Sequence, residues 1–215
     1  MKVSELAEQA GVPLSAVKYY QREGLLPAGV KSAPNQVAYG DAHVQRVRLV
    51  RALLETGGLS IAATKDVIAA LDAEAAPLAQ TFRAAQHAMS ARRVQESAPS
   101  GTARARVEAL AAARGWCATS DNPGFEAAAR ALDGLRAIGF DPPEEYLDAY
   151  AAAAGTAAAA DLHALSGRSD RDAVAELMVV GTVLGDPLFA GLRRLAQQDA
   201  TRDAFPAAGP RGRRR

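Results

Sequence analysis

The sequence predicts a mainly α-helical chain, and three observations carry that expectation. Hydrophobic residues fill 49% of the 215 positions but aromatic ones only 5%, and alanine supplies much of the apolar share. Alanine is the strongest helix former and lets helices approach closely. Apolar residues recur at spacings of three and four along most of the chain, the period of an amphipathic helix. Residues 25–40, LLPAGVKSAPNQVAYG, break that period, with two prolines, two glycines and an asparagine; they read as a looped hairpin.

Taken in order, residues 4–10 read as a short helix with Ser4 as its N-cap and Gly11 just past its end. Pro13 suits the first turn of a second helix, which runs to about Glu23 and stops at Gly24. Two helices joined by a three-residue turn make a helix-turn-helix, and the hairpin after them makes it winged. Helical period returns at Asp41, with Val44, Val47, Val50 and Leu54 on one face, until Gly57-Gly58 ends it. Ser60 caps the next helix, which carries Ile61, Thr64, Val67, Ile68 and Leu71. Residues 1–72 are therefore expected to form one winged domain.

Residues 73–116 are expected to link and dimerise. Residues 77–97 place Leu78, Phe82, Ala85 and Met89 at coiled-coil spacing; the run APSG at 98–101 interrupts them, and another helix ends at Gly115. Residues 117–205 read as an all-helical domain. Phe125, Leu132, Leu135 and Ile138 mark one helix, and Pro142-Pro143 opens another. Ser169 with Asp172 resembles a capping box, and Asp186-Pro187 reads as the start of a separate last helix. Residues 206–215 are expected to be a disordered basic tail.

Charge divides the chain. Residues 1–72 carry a net +1, residues 73–116 a net +3, residues 117–210 a net −7, and the final RGRRR adds +4. Phosphate would be repelled by the acidic part, so any nucleic-acid contact belongs to the front. No unbroken run of 18 apolar residues occurs, so no membrane span or membrane partner is expected. The charged start MKVSELAEQAG lacks the apolar core of a signal peptide, which points to the cytoplasm, on the nucleoid if DNA is bound.

The segment AEQAGVPLSAVKYYQREGLLP resembles the MerR family, whose second helix reads roughly G-V-S-x-x-T-L-R-Y-Y-E-R-E-G-L-L. Gly11, Val12, Tyr19, Tyr20, Arg22, Glu23, Gly24, Leu25 and Leu26 match it. Downstream, YGDAHVQRVRLVRALLETGGLSI follows the family's pattern at the right interval, so the resemblance covers residues 1–72. Pro13 and Ala16 depart from the usual Ser and Thr, Lys18 from the usual Arg, and no Arg precedes Tyr39. The resemblance implies a homodimer that binds a near-palindromic promoter operator in double-stranded DNA, distorts it, and so controls engagement by RNA polymerase. Physical placement agrees: Ser15 and Lys18 can point outward at the start of the reading helix, and Tyr19 or Tyr20, with Arg22, can reach the backbone. Asn35 and Tyr39 in the wing, with Arg46 on the next helix, can clamp flanking phosphates. One of the two adjacent tyrosines is expected in the core and the other on DNA.

The back domain carries only a faint likeness to the helical effector halves of TetR-type regulators. One cysteine, Cys117, supplies neither an intramolecular disulfide nor the thiolate cage of a metal sensor or an iron–sulfur cluster, so no metal or cofactor is expected. Two readings remain open. Trp116, Phe125, Tyr146, Tyr150 and Met178 line a pocket for an apolar small molecule, or they are core residues of a dimerisation module. No nucleophile elbow, phosphate-binding glycine loop or HExxH occurs, and the acids Asp141, Glu144, Glu145 and Asp148 suit a helix N-terminus without any catalytic role. No catalytic residue is expected. The reading is a sequence-specific transcriptional regulator; the alternative is an architectural DNA-bending protein without an effector.

Overall fold

Residues 3–22 form the two helices that the punctuation predicts: α1 (Val3–Ala10) and α2 (Leu14–Arg22), with Gly11 in the left-handed region at φ 70° between them. The computed structural model describes residues 1–33, 36–73, 78–90, 98–117 and 122–204. The expected basic tail, residues 206–215, lies outside the described residues. Helix α1 starts one residue earlier than expected. Its cap is Lys2, whose backbone N–H donates to the Glu5 carboxylate at 2.9 Å, so Ser4 lies inside the helix. The wing is the antiparallel pair β1 (Val30–Ala33) and β2 (Gln36–Ala38), with Val30 opposite Ala38 and Lys31 opposite Val37.

Helix α3 (Asp41–Arg51) widens into one π-helical turn, Ala52–Thr56, and stops at Gly57. The Gly57 N–H donates to the Ala52 carbonyl at 2.9 Å, the i→i+5 bond that defines such a turn. Helix α4 (Ile61–Asp72) is capped as expected: Ser60 Oγ accepts the Ala63 N–H at 3.1 Å. Then follow α5 (Leu78–Ser90), α6 (Gly101–Ala113), α7 (Pro123–Ala137) and α8 (Glu144–Leu165).

The last helix differs from expectation. Helix α9 (Arg171–Ala204) is continuous, with Pro187 inside it rather than at its start. A proline there removes one backbone donor and crowds the preceding turn, but the helix persists because its first half is held by packing. The expected box of Ser169 with Asp172 is replaced by Asp170, whose Oδ1 accepts the Asp172 N–H at 3.2 Å. By length and composition α9 could cross a bilayer, with an 18-residue window of mean hydropathy 1.6. Counting only unbroken apolar runs misses it, because acids punctuate the segment.

The main core gathers Leu6, Val17, Leu25, Val47, Val50, Leu53 and Val67, all fully buried, from the first four helices and the loop after α2. It does not close on itself. Ala85 and Ala88 of α5, and Val179 and Val183 of α9, complete it from outside residues 1–72. Gly57 permits this: a Cβ there would lie closer than 3.0 Å to Val183 Cγ1 and 2.9 Å from the Leu53 carbonyl oxygen. A second, smaller core joins Ala103, Ala129, Leu132 and Leu147 from α6, α7 and α8. Helix α5 packs within the protomer through Thr81, Ala85 and Ala88.

Candidate nucleic-acid interface

Helix α2 divides its residues cleanly. Val17 and Tyr20 face the core, Tyr20 with only 5% exposure, so Tyr20 leaves the set of expected DNA contacts. Its phenol is held protonated beyond the ordinary range, first by burial and then by the Glu55 charge. On the opposite side Ser15, Lys18 and Arg22 are exposed. At spacings of three and four they share one face. Tyr19 is half-buried beside them, and the Arg22 guanidinium sits 5.1 Å from its ring centroid.

This face is braced on two sides. Gln21 Nε2 donates to the Tyr39 hydroxyl at 2.6 Å, which ties the reading helix to the wing. Tyr39 is also pinned to the chain's start: its N–H donates to the Met1 carbonyl and the Met1 amino group donates to its carbonyl, both at 2.9 Å. Tyr39 thus acts as a joint, half-buried, with only part of its ring left for a ligand. Across the helix, Lys65 of α4 pairs with Glu23 at 3.0 Å. Val30 and Val37 are exposed on the wing. Asn35 lies outside the described residues.

Arg46 does not stand free for phosphate. Its guanidinium forks onto the Asp72 carboxylate, with Nη1 2.9 Å from Oδ2 and Nη2 on Oδ1. Two arginines that a solvated helix face would explain have structural work. Arg48 Nη2 donates to the Gln9 carbonyl at 2.8 Å and Arg51 Nη1 to the Gly11 carbonyl at 2.9 Å. Both satisfy carbonyls that the end of α1 leaves without helical donors, and so fix the turn before α2. Sequence patterning misses Gln21, and it misses Gly29. A Cβ on Gly29 would lie 2.8 Å from the Ala38 carbonyl oxygen and from Tyr39 Cε1, and closer still to Val37. Neither contact leaves a trace in local periodicity.

The five residues expected to line one pocket do not come together. Trp116 is exposed beyond α6 and lies against Gly155 of α8; Phe125 is half-buried in the first turn of α7. Tyr146 and Tyr150 stack on each other at 4.7 Å, their hydroxyls 3.0 Å apart, and Arg193 donates to the Tyr150 hydroxyl at 2.9 Å. Met178 alone lines an apolar cavity, of about 350 Å³, between α5, α8 and α9. Its other walls include Phe82, Leu162, Leu165, Leu177 and Thr182. Aromatic spacing does not find it because its walls are mostly aliphatic.

Comparison with known proteins agrees with this geometry. The family model of MerR helix-turn-helix regulatory proteins matches residues 1–71. A mercuric resistance operon regulatory protein of Serratia marcescens is 37% identical over 57 residues, which are 26% of this chain. The chain spans 40% of that relative's length. Over its whole length, a protein of Streptomyces coelicolor A3(2), SCO5550, is similar in structure, with a TM-score of 0.74 and 25% identity. That match covers 98% of this chain and all of the other, whose own naming as a transcriptional regulator is provisional. Residues 1–71 of this chain are a segment of the MerR helix-turn-helix family.

Proposed function

We propose that the chain is a sequence-specific, DNA-binding transcriptional regulator that acts as a homodimer on a near-palindromic promoter site in the cytoplasm. The observation that carries this reading is the exposed Ser15–Lys18–Arg22 face of α2, braced by the wing through Tyr39 and by α4 through Lys65. A helix that enters the major groove needs polar and cationic groups outward and a rigid seat behind. Lys18 reaches a base edge or a phosphate; Ser15, Tyr19 and Arg22 contact the backbone. Arg46 joins them only on leaving Asp72. Distortion of the site, and its effect on RNA polymerase, follow from the family likeness of the front segment.

Fragments of the source genome selected for binding should enrich one operator, and its position relative to promoters tests the regulatory role. Replacing Lys18 by Ala should weaken operator binding by roughly 1–3 kcal/mol if Lys18 meets a base, or lower the salt slope by about one if it meets only phosphate. Unchanged affinity and salt dependence in a folded Lys18→Ala protein would remove it from the interface. An architectural DNA-bending protein would instead bind unrelated sequences almost equally, where a regulator prefers its operator by about 4–10 kcal/mol.

The apolar cavity favours a second element of the same reading: control by an apolar small molecule. Met178 and Thr182 face the cavity, while Val179 and Val183, about 100° round the same stretch of α9, are buried in the core that α3 and α4 share. A ligand that moves those turns therefore acts on the packing beneath α3 and α4. Coupling between two binding sites is reciprocal, so operator DNA must change ligand affinity by the same factor. Thermal shift with a panel of apolar compounds, repeated with operator present, tests it; compounds that bind without any effect on operator affinity would remove control and leave a cavity.

A further inference from the structure

The C-terminal half of α9 is an apolar helix face without a partner among the described residues. Leu188, Leu192 and Leu195 are 64%, 56% and 64% exposed, and Phe189 lies beside them. The leucines follow at steps of four and three, the spacing of a coiled-coil seam. Continued backward at steps of three and four, the seam meets Gly185 and then Gly181.

Those glycines need an account. A helix-interior glycine is the least favourable residue after proline. At Gly57 and Gly29 the glycine is explained by what its Cβ would strike. At Gly181, Gly185 and Gly191 of α9 an added Cβ would meet nothing within 4 Å. No close approach among the described residues of the protomer requires them. At Gly185, on the seam, the open space leaves room for a close approach by another helix.

We propose that this face of α9, from Gly185 to Leu195, is the surface on which two copies of the chain pair. The inference rests on the homodimer reading above and names its interface. A two-fold axis across the face runs the two helices antiparallel. Leu188 then meets Leu192 of the second copy, and Gly185 gives room to its Leu195. Three leucines and Phe189 offer on the order of 100 Å² of apolar surface each, roughly 800 Å² over both copies. The stems of Arg194 and its neighbours extend that to the lower range of stable interfaces, about 1,200 Å². On one protomer that is an apolar patch of about 400 Å², a size at which the largest patch of a monomer is often functional. Helix α5, the competing candidate, has its small apolar face buried within the protomer and presents Gln80, Arg83 and His87 outward. A bilayer fits less well, because Val179 and Val183 anchor the same helix in the core and Arg193 and Arg194 sit inside the exposed stretch.

Sedimentation of the full chain tests this without DNA. The wild type should be a dimer, Leu192→Asp should raise its dissociation constant at least a hundredfold, and Ile138→Asp, at an exposed position at the end of α7, should leave it unchanged. Gly185→Ala separates an interface from a structural role. In an isolated protomer alanine strengthens the helix, so thermal stability at low concentration should rise while dimer affinity falls about tenfold; this variant decides the matter if Leu192→Asp loses its helical circular dichroism. A wild-type dimer that Leu192→Asp or Gly185→Ala leaves intact overturns this surface but keeps the homodimer. A wild-type monomer overturns both, and cosedimentation of that monomer with phosphatidylcholine vesicles would assign the face to lipid instead.

Discussion

Gly57→Ala should destabilise the fold, although its local backbone invites alanine. Gly57 lies at φ −73° and ψ −18°, ordinary right-handed helix geometry. On propensity alone alanine would gain about 1 kcal/mol there. Against that, the new Cβ would lie closer than 3.0 Å to Val183 Cγ1 and 2.9 Å from the Leu53 carbonyl oxygen. Carbon atoms rest at about 3.5–4.0 Å. The Leu53 carbonyl belongs to the π-helical turn, and Val183 is 1% exposed, so neither has room to retreat. Overpacking of this kind costs about 1–3 kcal/mol, a loss of roughly 2–4 °C in Tm per kcal/mol for a chain of this length. Thermal and urea unfolding followed by circular dichroism measure it. Val183→Ala alone removes two buried methyls, about 2 kcal/mol with its cavity. It also vacates the space that the new methyl at position 57 needs. The double variant should therefore be more stable than the sum of the singles by at least about 1 kcal/mol. Additivity within about 0.5 kcal/mol, or a Gly57→Ala protein more stable than wild type, would refute the view that α9 is locked against the π-helical turn.

Three further outcomes follow from the same geometry. Burial holds the Tyr20 proton beyond its ordinary value of 10.0, so the folded chain keeps that proton longer than the unfolded one; the stability this gives is complete below the unfolded value and is lost as pH rises through the folded one. Tyr20→Phe should flatten the alkaline limb of the stability profile, and an unchanged limb would count against it. Asp133 accepts the Ser100 N–H and hydroxyl, both at 2.6 Å, which hold its carboxyl below the ordinary 3.8; that contribution is present above the unfolded value and lost as pH falls through the folded one, so Asp133→Asn should reduce acid sensitivity, read by urea titration across the acid range. Gly29→Ala should weaken operator binding by displacing the wing from Tyr39 while far-UV circular dichroism stays helical, and full-strength binding would show that the wing does not need that approach.

The front of the chain is legible because its signals are local. Gly11, Gly24, Ser60 and the Gly57-Gly58 break mark turns and caps that depend on neighbours a few residues away, and the structure keeps them. The exposed positions Ser15, Lys18 and Arg22 follow from helical period alone. Tyr20 cannot be told from Tyr19 that way, since both fit the same pattern and only packing decides which enters the core. Periodicity sets Arg46, Arg48 and Arg51 off the packed face of α3, but it is silent on their partners Asp72, Gln9 and Gly11, which are 26 to 40 residues distant. The back half misleads for a related reason. Pro187 carries a strong local stop signal, and it is overridden by tertiary contacts of Val179 and Val183. Aromatic residues invite the reading of a pocket, whereas Tyr146 and Tyr150 spend their rings on each other and the cavity forms among aliphatic side chains.

The seating of Val183 against Gly57 also bears on how the protein is made. The winged end is synthesised first, yet its core waits for two valines near the chain's far end. At about 5–20 residues per second, the ribosome needs roughly 6–25 s to deliver residue 183 after residue 57. Through that interval Leu53 and its neighbours lack their cover, and the nascent front segment offers apolar surface to chaperones or to other nascent chains. Completion of the winged segment is thus tied to completion of the polypeptide, so a prematurely terminated product would carry that segment with its core unfinished.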